Sequence, residues 1–232
     1  MSQTTKAKKP NTDKPVAAAI IYALAILFLA LPVYEWFSNA WVMFAHGGDY
    51  PTMLLNLPAR LFALVGFTLM FYQFVLGIRT PLFEKVFKRP VNLKRHRRLG
   101  KVGFILILLH GLFLMLYDYL LAGRLLFDTY RIYGMTALAL LIIAVIAAWF
   151  FTPLKLSRKV WKSVHLLAYI VFPLGFLHGR NLGTEFATGE WTVNALFNGL
   201  FAVFVLLVIY QLYNWSMSLR KTAGAGKSRD KR

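Results

Sequence analysis

Six apolar stretches, at 16–37, 57–78, 99–121, 132–151, 160–178 and 193–216, take up more than half of this 232-residue chain. Each is long enough to cross a hydrocarbon core of about 30 Å as an α-helix rising about 1.5 Å per residue. In lipid such a stretch has to be helical, because its backbone N–H and C=O groups find no water and must pair within the segment. At 58% hydrophobic residues, the chain carries more apolar surface than a soluble domain of this size can hide. The connections are short and leave no room for a soluble domain. The expected architecture is therefore an all-α membrane protein, a six-helix bundle over 16–218. An unordered basic N-terminus (1–15) and a basic tail (219–232), expected to be unordered from Lys221 onward, flank it. The first apolar run is too long for a signal-peptide core and is expected to remain as a signal anchor.

The net charge of +18 is distributed unevenly. With the N-terminus in the cytoplasm, 23 of the 27 Lys and Arg residues fall on the inner side. Only Arg60, Arg124, Arg131 and Arg180 fall outside, facing Glu35, Asp49, Asp118, Asp128, Glu185 and Glu190. This positive-inside pattern predicts six spans with both termini cytoplasmic in a bacterial inner membrane. The cations thus mark topology and attract anionic lipid headgroups. Nucleic acid is excluded as a partner, since the basic patches sit at membrane edges without a recognition motif. The chain has no cysteine, which rules out iron–sulfur clusters, covalently attached c-type haem and thiolate-ligated haem.

Four of the five histidines form two pairs within apolar segments: His96 with His110, and His165 with His178. Ionisable side chains are costly inside a membrane and mark function. Fourteen residues along the third span turn through about 1400°, roughly 40° short of four turns, so His96 and His110 share a face and lie about 21 Å apart. The fifth span enters from the same side, which matches His96 with His165 near the inner face and His110 with His178 near the outer. Two facing imidazoles at each of two depths suit two b-type haems held between the third and fifth helices. A haem or metal transporter using the histidines as transient ligands is the competing class, but these spans hold almost no acidic ligands. On a straight helix His165 and His178 would point about 140° apart. Pro173 lies between them, and a kink or change of pitch there is expected to bring them into line.

Other residues belong to the same expectation. Gly103, midway between His96 and His110, would let a flat macrocycle edge approach the backbone. Arg97, Arg98 and Lys101 at the inner end, with Arg60 and Arg180 at the outer, are candidate partners for haem propionates or plain interfacial anchors. Phe172 lies between the two haem levels and either lines the gap or packs as an ordinary core aromatic. His46, in the outer loop FAHGGDYP, is a loop histidine or a contributor to an outward substrate site. The six tryptophans fall near span ends as an aromatic belt.

These features resemble the ferric reductase-like transmembrane superfamily, which covers NADPH oxidases, ferric-chelate reductases and the bacterial haem subunit MsrQ (YedZ). HRRLGKVGFILILLH resembles the family's third-helix pattern. WKSVHLLAYIVFPLGFLH resembles its fifth, including the Trp four residues before the first His. The resemblance runs from about residue 16 to 216 and implies haem ligation by His96, His110, His165 and His178. It also implies that Arg60 lines the outer haem. The oxidases add an FAD- and NADPH-binding domain, but here no flavin motif or glycine-rich fingerprint occurs. The expected donor is therefore a separate cytoplasmic flavoprotein reductase or a quinol, with quinone as a further cofactor. The expected outer acceptor is ferric iron, oxygen or a periplasmic oxidoreductase. In size the chain resembles MsrQ, an electron-relay anchor of a periplasmic reductase, while its full four-histidine set resembles the oxidases.

Overall fold

The computed structural model describes residues 13–78, 80–187 and 191–229. Among these residues the helices are α1 (Asp13–Ala45), α2 (Leu57–Gly77), α3 (Pro81–Val86), α4 (Arg89–Ala122), α5 (Thr129–Trp149), α6 (Arg158–His165), α7 (Ala168–Leu182), α8 (Thr184–Ala187) and α9 (Trp191–Arg229). A π-helical turn, Thr52–Asn56, leads into α2. Six segments are long and apolar enough to cross a membrane: Lys14–Ala45, Thr52–Gly77, Arg89–Ala122, Thr129–Trp149, Arg158–Leu182 and Trp191–Ser218. Large apolar side chains on their outer faces, such as Ile26 at 67% and Leu206 at 64% exposure, suit a lipid environment. The chain is a multi-pass helical membrane protein.

Local chemistry sets the ends of these helices. Pro90, in the first turn of α4, needs no N–H partner there and suits a helix start. The third span thus begins ten residues earlier than its apolar run, and His96 is helical. Gly123, at φ 65°, takes the left-handed conformation that closes α4. The Asp128 carboxylate caps α5, accepting from the N–H groups of Tyr130 and Arg131 at 2.9 Å each. Ser157 caps α6 by accepting from the Val160 N–H at 3.2 Å. The tail behaves differently from expectation: α9 continues through Arg229, because extending an existing helix carries no nucleation cost. The N-terminal residues 1–12 lie outside the described residues.

Apolar helix faces gain little by leaving lipid for one another, so close backbone approach has to hold the bundle together. The antiparallel pair α2–α4 achieves it with glycine. A Cβ on Gly66 would lie 2.8 Å from Ile107 Cδ1, and one on Gly103 3.2 Å from Leu69 Cβ. Gly103 does share the α4 face of His96 and His110, but α2 covers it there. Its missing side chain leaves room for Leu69 of α2. Phe172, 1% exposed, stacks on Phe67 with ring centres 4.4 Å apart and meets Phe74 and Phe204 edge-on or tilted at 5.2 and 4.7 Å. This aromatic core ties α2, α7 and α9 together.

Gly66→Val should overpack the α2–α4 crossing and cost about 1–3 kcal/mol, read as a lower Tm in detergent. Gly199→Ala, where no atom lies within 4 Å of the added carbon, should not lower it. A second expectation concerns acid. The Arg131 backbone N–H, then its side chain, hold the Asp128 carboxyl below its ordinary value. That stabilisation is complete above about pH 4 and disappears as pH falls through the lowered value. The Tm of Asp128→Asn should accordingly be lower than wild type at neutral pH, with the gap closing in acid.

Candidate functional site

The first turn of α2 and the middle of α4 set one side of the site. Ala59, in that first turn, offers its carbonyl to His110 Nδ1 at 3.0 Å. A carbonyl only accepts, so His110 carries its proton on Nδ1 and keeps a lone pair on Nε2. Across the cleft, His178 of α7 donates from Nδ1 to the Tyr130 carbonyl at 2.8 Å. Tyr130 lies in the first turn of α5, and Gly134 one turn later sits directly beneath the imidazole. A Cβ on Gly134 would fall 2.6 Å from His178 Nδ1, so a side chain there would displace the ring. The His110 and His178 rings stand 6.0 Å apart, centre to centre, at 71°.

The other pair has matching geometry. His96 and His165 stand 6.0 Å apart at 70°. His165 closes α6, and Trp161, one turn earlier, stacks on it with ring centres 5.5 Å apart and planes 9° from parallel. His96 lies against the backbone of Gln73 on α2, and Nδ1 of His165 is buried without a hydrogen-bond partner. The expected pitch change in the fifth span is present, but at Leu166–Leu167, ahead of Pro173. Tyr169 and Ile170 donate three residues back, to the carbonyls of Leu166 and Leu167, at 3.0 and 2.8 Å. Winding at three residues per turn adds about 20° per residue over an α-helix, which narrows the angle between the two imidazoles. Pro173 stays inside α7, and its ring crowds the carbonyl of Tyr169 at the end of that tightened stretch.

A cavity of about 320 Å³ opens at the level of His110 and His178. Arg60, Asp118, Arg131, Gly134, Phe172 and Glu185 are among the residues lining it. Arg60 is only 9% exposed and Glu185 only 2%. The guanidinium donates to Glu185 Oε1 from Nε at 2.9 Å and from Nη2 at 2.5 Å. Burying either charge alone would be strongly unfavourable, and the pair makes both tolerable. Arg131 bonds Asp128 through Nη1 and reaches Asp118 Oδ2 from Nε at 3.4 Å. Sequence reasoning did not single out Glu185, Asp118, Arg131 or Gly134. Only the four outer-side arginines facing acids hinted at them, without saying which would pair.

The remaining candidates are placed elsewhere. Arg97 and Arg98 are exposed at the inner end of α4, beside His96. Lys101 lies over the Trp149 ring at 5.9 Å, on α5. Arg180 turns to α9, donating to Asn198 Oδ1 at 3.0 Å, and does not line the cavity. His46 is exposed and donates from Nδ1 to Val42 O of its own helix end at 2.8 Å, so it closes α1 and takes no part in the cavity. Trp36 and Trp161 do more than mark an interface: Trp36 Nε1 donates to Leu57 O at 2.8 Å, and Trp161 buttresses His165.

These pairs suit a particular kind of metal group. Among the described residues no three His, Cys, Asp or Glu side chains come together as a metal site. A zinc-type ion, which needs three or four protein ligands, therefore finds too few. Two imidazoles facing across a gap do fit a macrocycle that brings four ligands of its own. Two metal–nitrogen bonds of about 2 Å, with half an imidazole width at each end, account for a 6.0 Å separation of centres.

Residues 62–176 match a family model described as ferric reductase like transmembrane component. The match contains His96, His110 and His165, and ends two residues before His178. No curated protein and no solved structure matches the chain. The match covers just under half of the chain, and over those residues the chain is similar to ferric reductase-like transmembrane components.

Proposed function

We propose that the protein is a transmembrane di-haem cytochrome b, with an inner haem held by His96 and His165 and an outer haem held by His110 and His178. Haem b, when bound, supplies reversible one-electron chemistry at iron. The rest is the chain's own work. The outer imidazoles present Nε2 because the Ala59 and Tyr130 carbonyls accept hydrogen bonds from their protonated Nδ1 atoms. α4 sets the two levels, its fourteen-residue spacing giving about 21 Å of depth. Lipid-facing side chains and the aromatic core around Phe172 keep water from the region between them. Both termini are assigned to the cytoplasm, which puts His96 and His165 on the donor side. The donor is a separate flavoprotein or a quinol. The acceptor is ferric iron, oxygen or a periplasmic oxidoreductase.

One observation carries this proposal. Two histidine pairs with the same 6.0 Å ring separation lie at two levels of α4, in a chain whose central spans are similar to ferric reductase-like transmembrane components. A membrane electron-transfer component is the family's ordinary role, and the duplicated pair supports passage across the full bilayer.

Pyridine haemochrome assays and reduced-minus-oxidised spectra on purified protein test it. Wild type should hold two low-spin haems b per chain, with His96→Ala and His110→Ala each losing one. A single haem indifferent to His96→Ala would replace the di-haem path with an MsrQ-like arrangement. Absence of haem would return the histidines to transport.

A further inference from the structure

The two outer histidines share a pattern that the inner two lack. His110 donates to the carbonyl of Ala59, and the next residue is Arg60, anchored on Glu185. His178 donates to the carbonyl of Tyr130, and the next residue is Arg131, anchored on Asp118 and Asp128. A carbonyl and the following residue's nitrogen belong to one planar peptide unit. Anchoring the arginine therefore restrains the plane on which the imidazole depends. Ala59 lies just past the π-helical turn Thr52–Asn56 and Tyr130 in the first turn of α5, so both carbonyls sit near the outer starts of their spans. Each clamp also joins separate elements: Arg60–Glu185 ties α2 to α8, and Arg131–Asp118 ties α5 to α4. The inner histidines lack such a clamp: His96 meets the backbone of Gln73 on α2, but the next residue is Phe74, and Nδ1 of His165 is buried without a hydrogen-bond partner.

We propose that Arg60 with Glu185, and Arg131 with Asp118 and Asp128, are positioning residues for the outer cofactor ligands, acting through the Ala59 and Tyr130 carbonyls. This rests on the haem-ligand assignment made above. The arginines act on the imidazoles through backbone. A carbonyl held in place keeps each Nδ1–H in its hydrogen bond, and so keeps each Nε2 lone pair aimed into the cleft. The clamps belong to the outer level alone, and the inner pair serves as an internal reference.

The test uses the full-length, haem-loaded protein in detergent. Low-temperature EPR and a reductive titration would follow the two low-spin signals, assigned by His96→Ala and His110→Ala. In Glu185→Gln and Asp118→Asn the inner signal should persist. The outer signal should shift or fade, with outer-haem affinity falling about 10- to 100-fold. Glu185→Asp and Arg131→Lys, which keep the charge, should recover part of the loss. If Glu185→Gln fails to fold, Asp118→Asn at the cavity mouth decides. An outer signal unchanged from wild type in the Gln and Asn variants overturns the clamps while leaving the di-haem assignment in place. Equal loss of both signals also overturns them, because it marks general support of the bundle. A wild-type protein without haem overturns the assignment and the clamps together.

Discussion

The crossing of α2 and α4 is the contact on which the site depends. Gly66 and Gly103 let the two helices pack tightly: a Cβ on Gly66 would meet Ile107 Cδ1 at 2.8 Å, and one on Gly103 would meet Leu69 Cβ at 3.2 Å. Across this crossing, the Ala59 carbonyl of α2 reaches the His110 imidazole on α4. A bundle in lipid has little hydrophobic gain from helix association, so small residues and interhelical hydrogen bonds do this work. Gly134 repeats the device on the other side of the cleft, where α5 runs so close beneath His178 that no Cβ fits.

Charge is arranged with the same economy. The ion pairs Arg60–Glu185, Arg131–Asp118 and Arg131–Asp128 gather around the cavity at the level of His110 and His178. At the other end of α4, Arg95 lies over the rings of Tyr22 and Phe87 at 5.1 and 4.7 Å, while Arg97 and Arg98 are exposed. One end is thus rich in paired charges and the other in solvated cations. Pairing matters most where Arg60 and Glu185 are buried and is optional where side chains reach water. This division parallels the difference between the two histidine levels, since only the outer carbonyls are followed by ion-paired arginines.

Much of the fold could be read from residue order alone. Apolar runs of about twenty residues can only become helices in lipid, so six spans follow from hydropathy. The four histidines stand out because ionisable groups are rare there. The third span shows where such reading stops short: its start at Arg89 depended on Pro90 and on basic residues remaining helical at the membrane edge, which an apolar window does not register. Gly103 was legible as a residue on the histidine face, yet whether a cofactor or a helix covers it is a matter of packing.

The sequence by itself determined the number of spans, the residues able to ligate metal, and the fourteen-residue interval that separates two levels, because these depend on composition and helical period. Tertiary structure decided which groups serve those residues. It set the tightened turn at Leu166–Leu167, the carbonyl partners of His110 and His178, and the choice of Glu185 for Arg60. It also sent Arg180 to Asn198 and left His46 on its own helix end. The physical reason is range. Periodicity is a property of neighbours along the chain, whereas a hydrogen bond spanning 125 residues, as between Arg60 and Glu185, forms only after separate helices have packed.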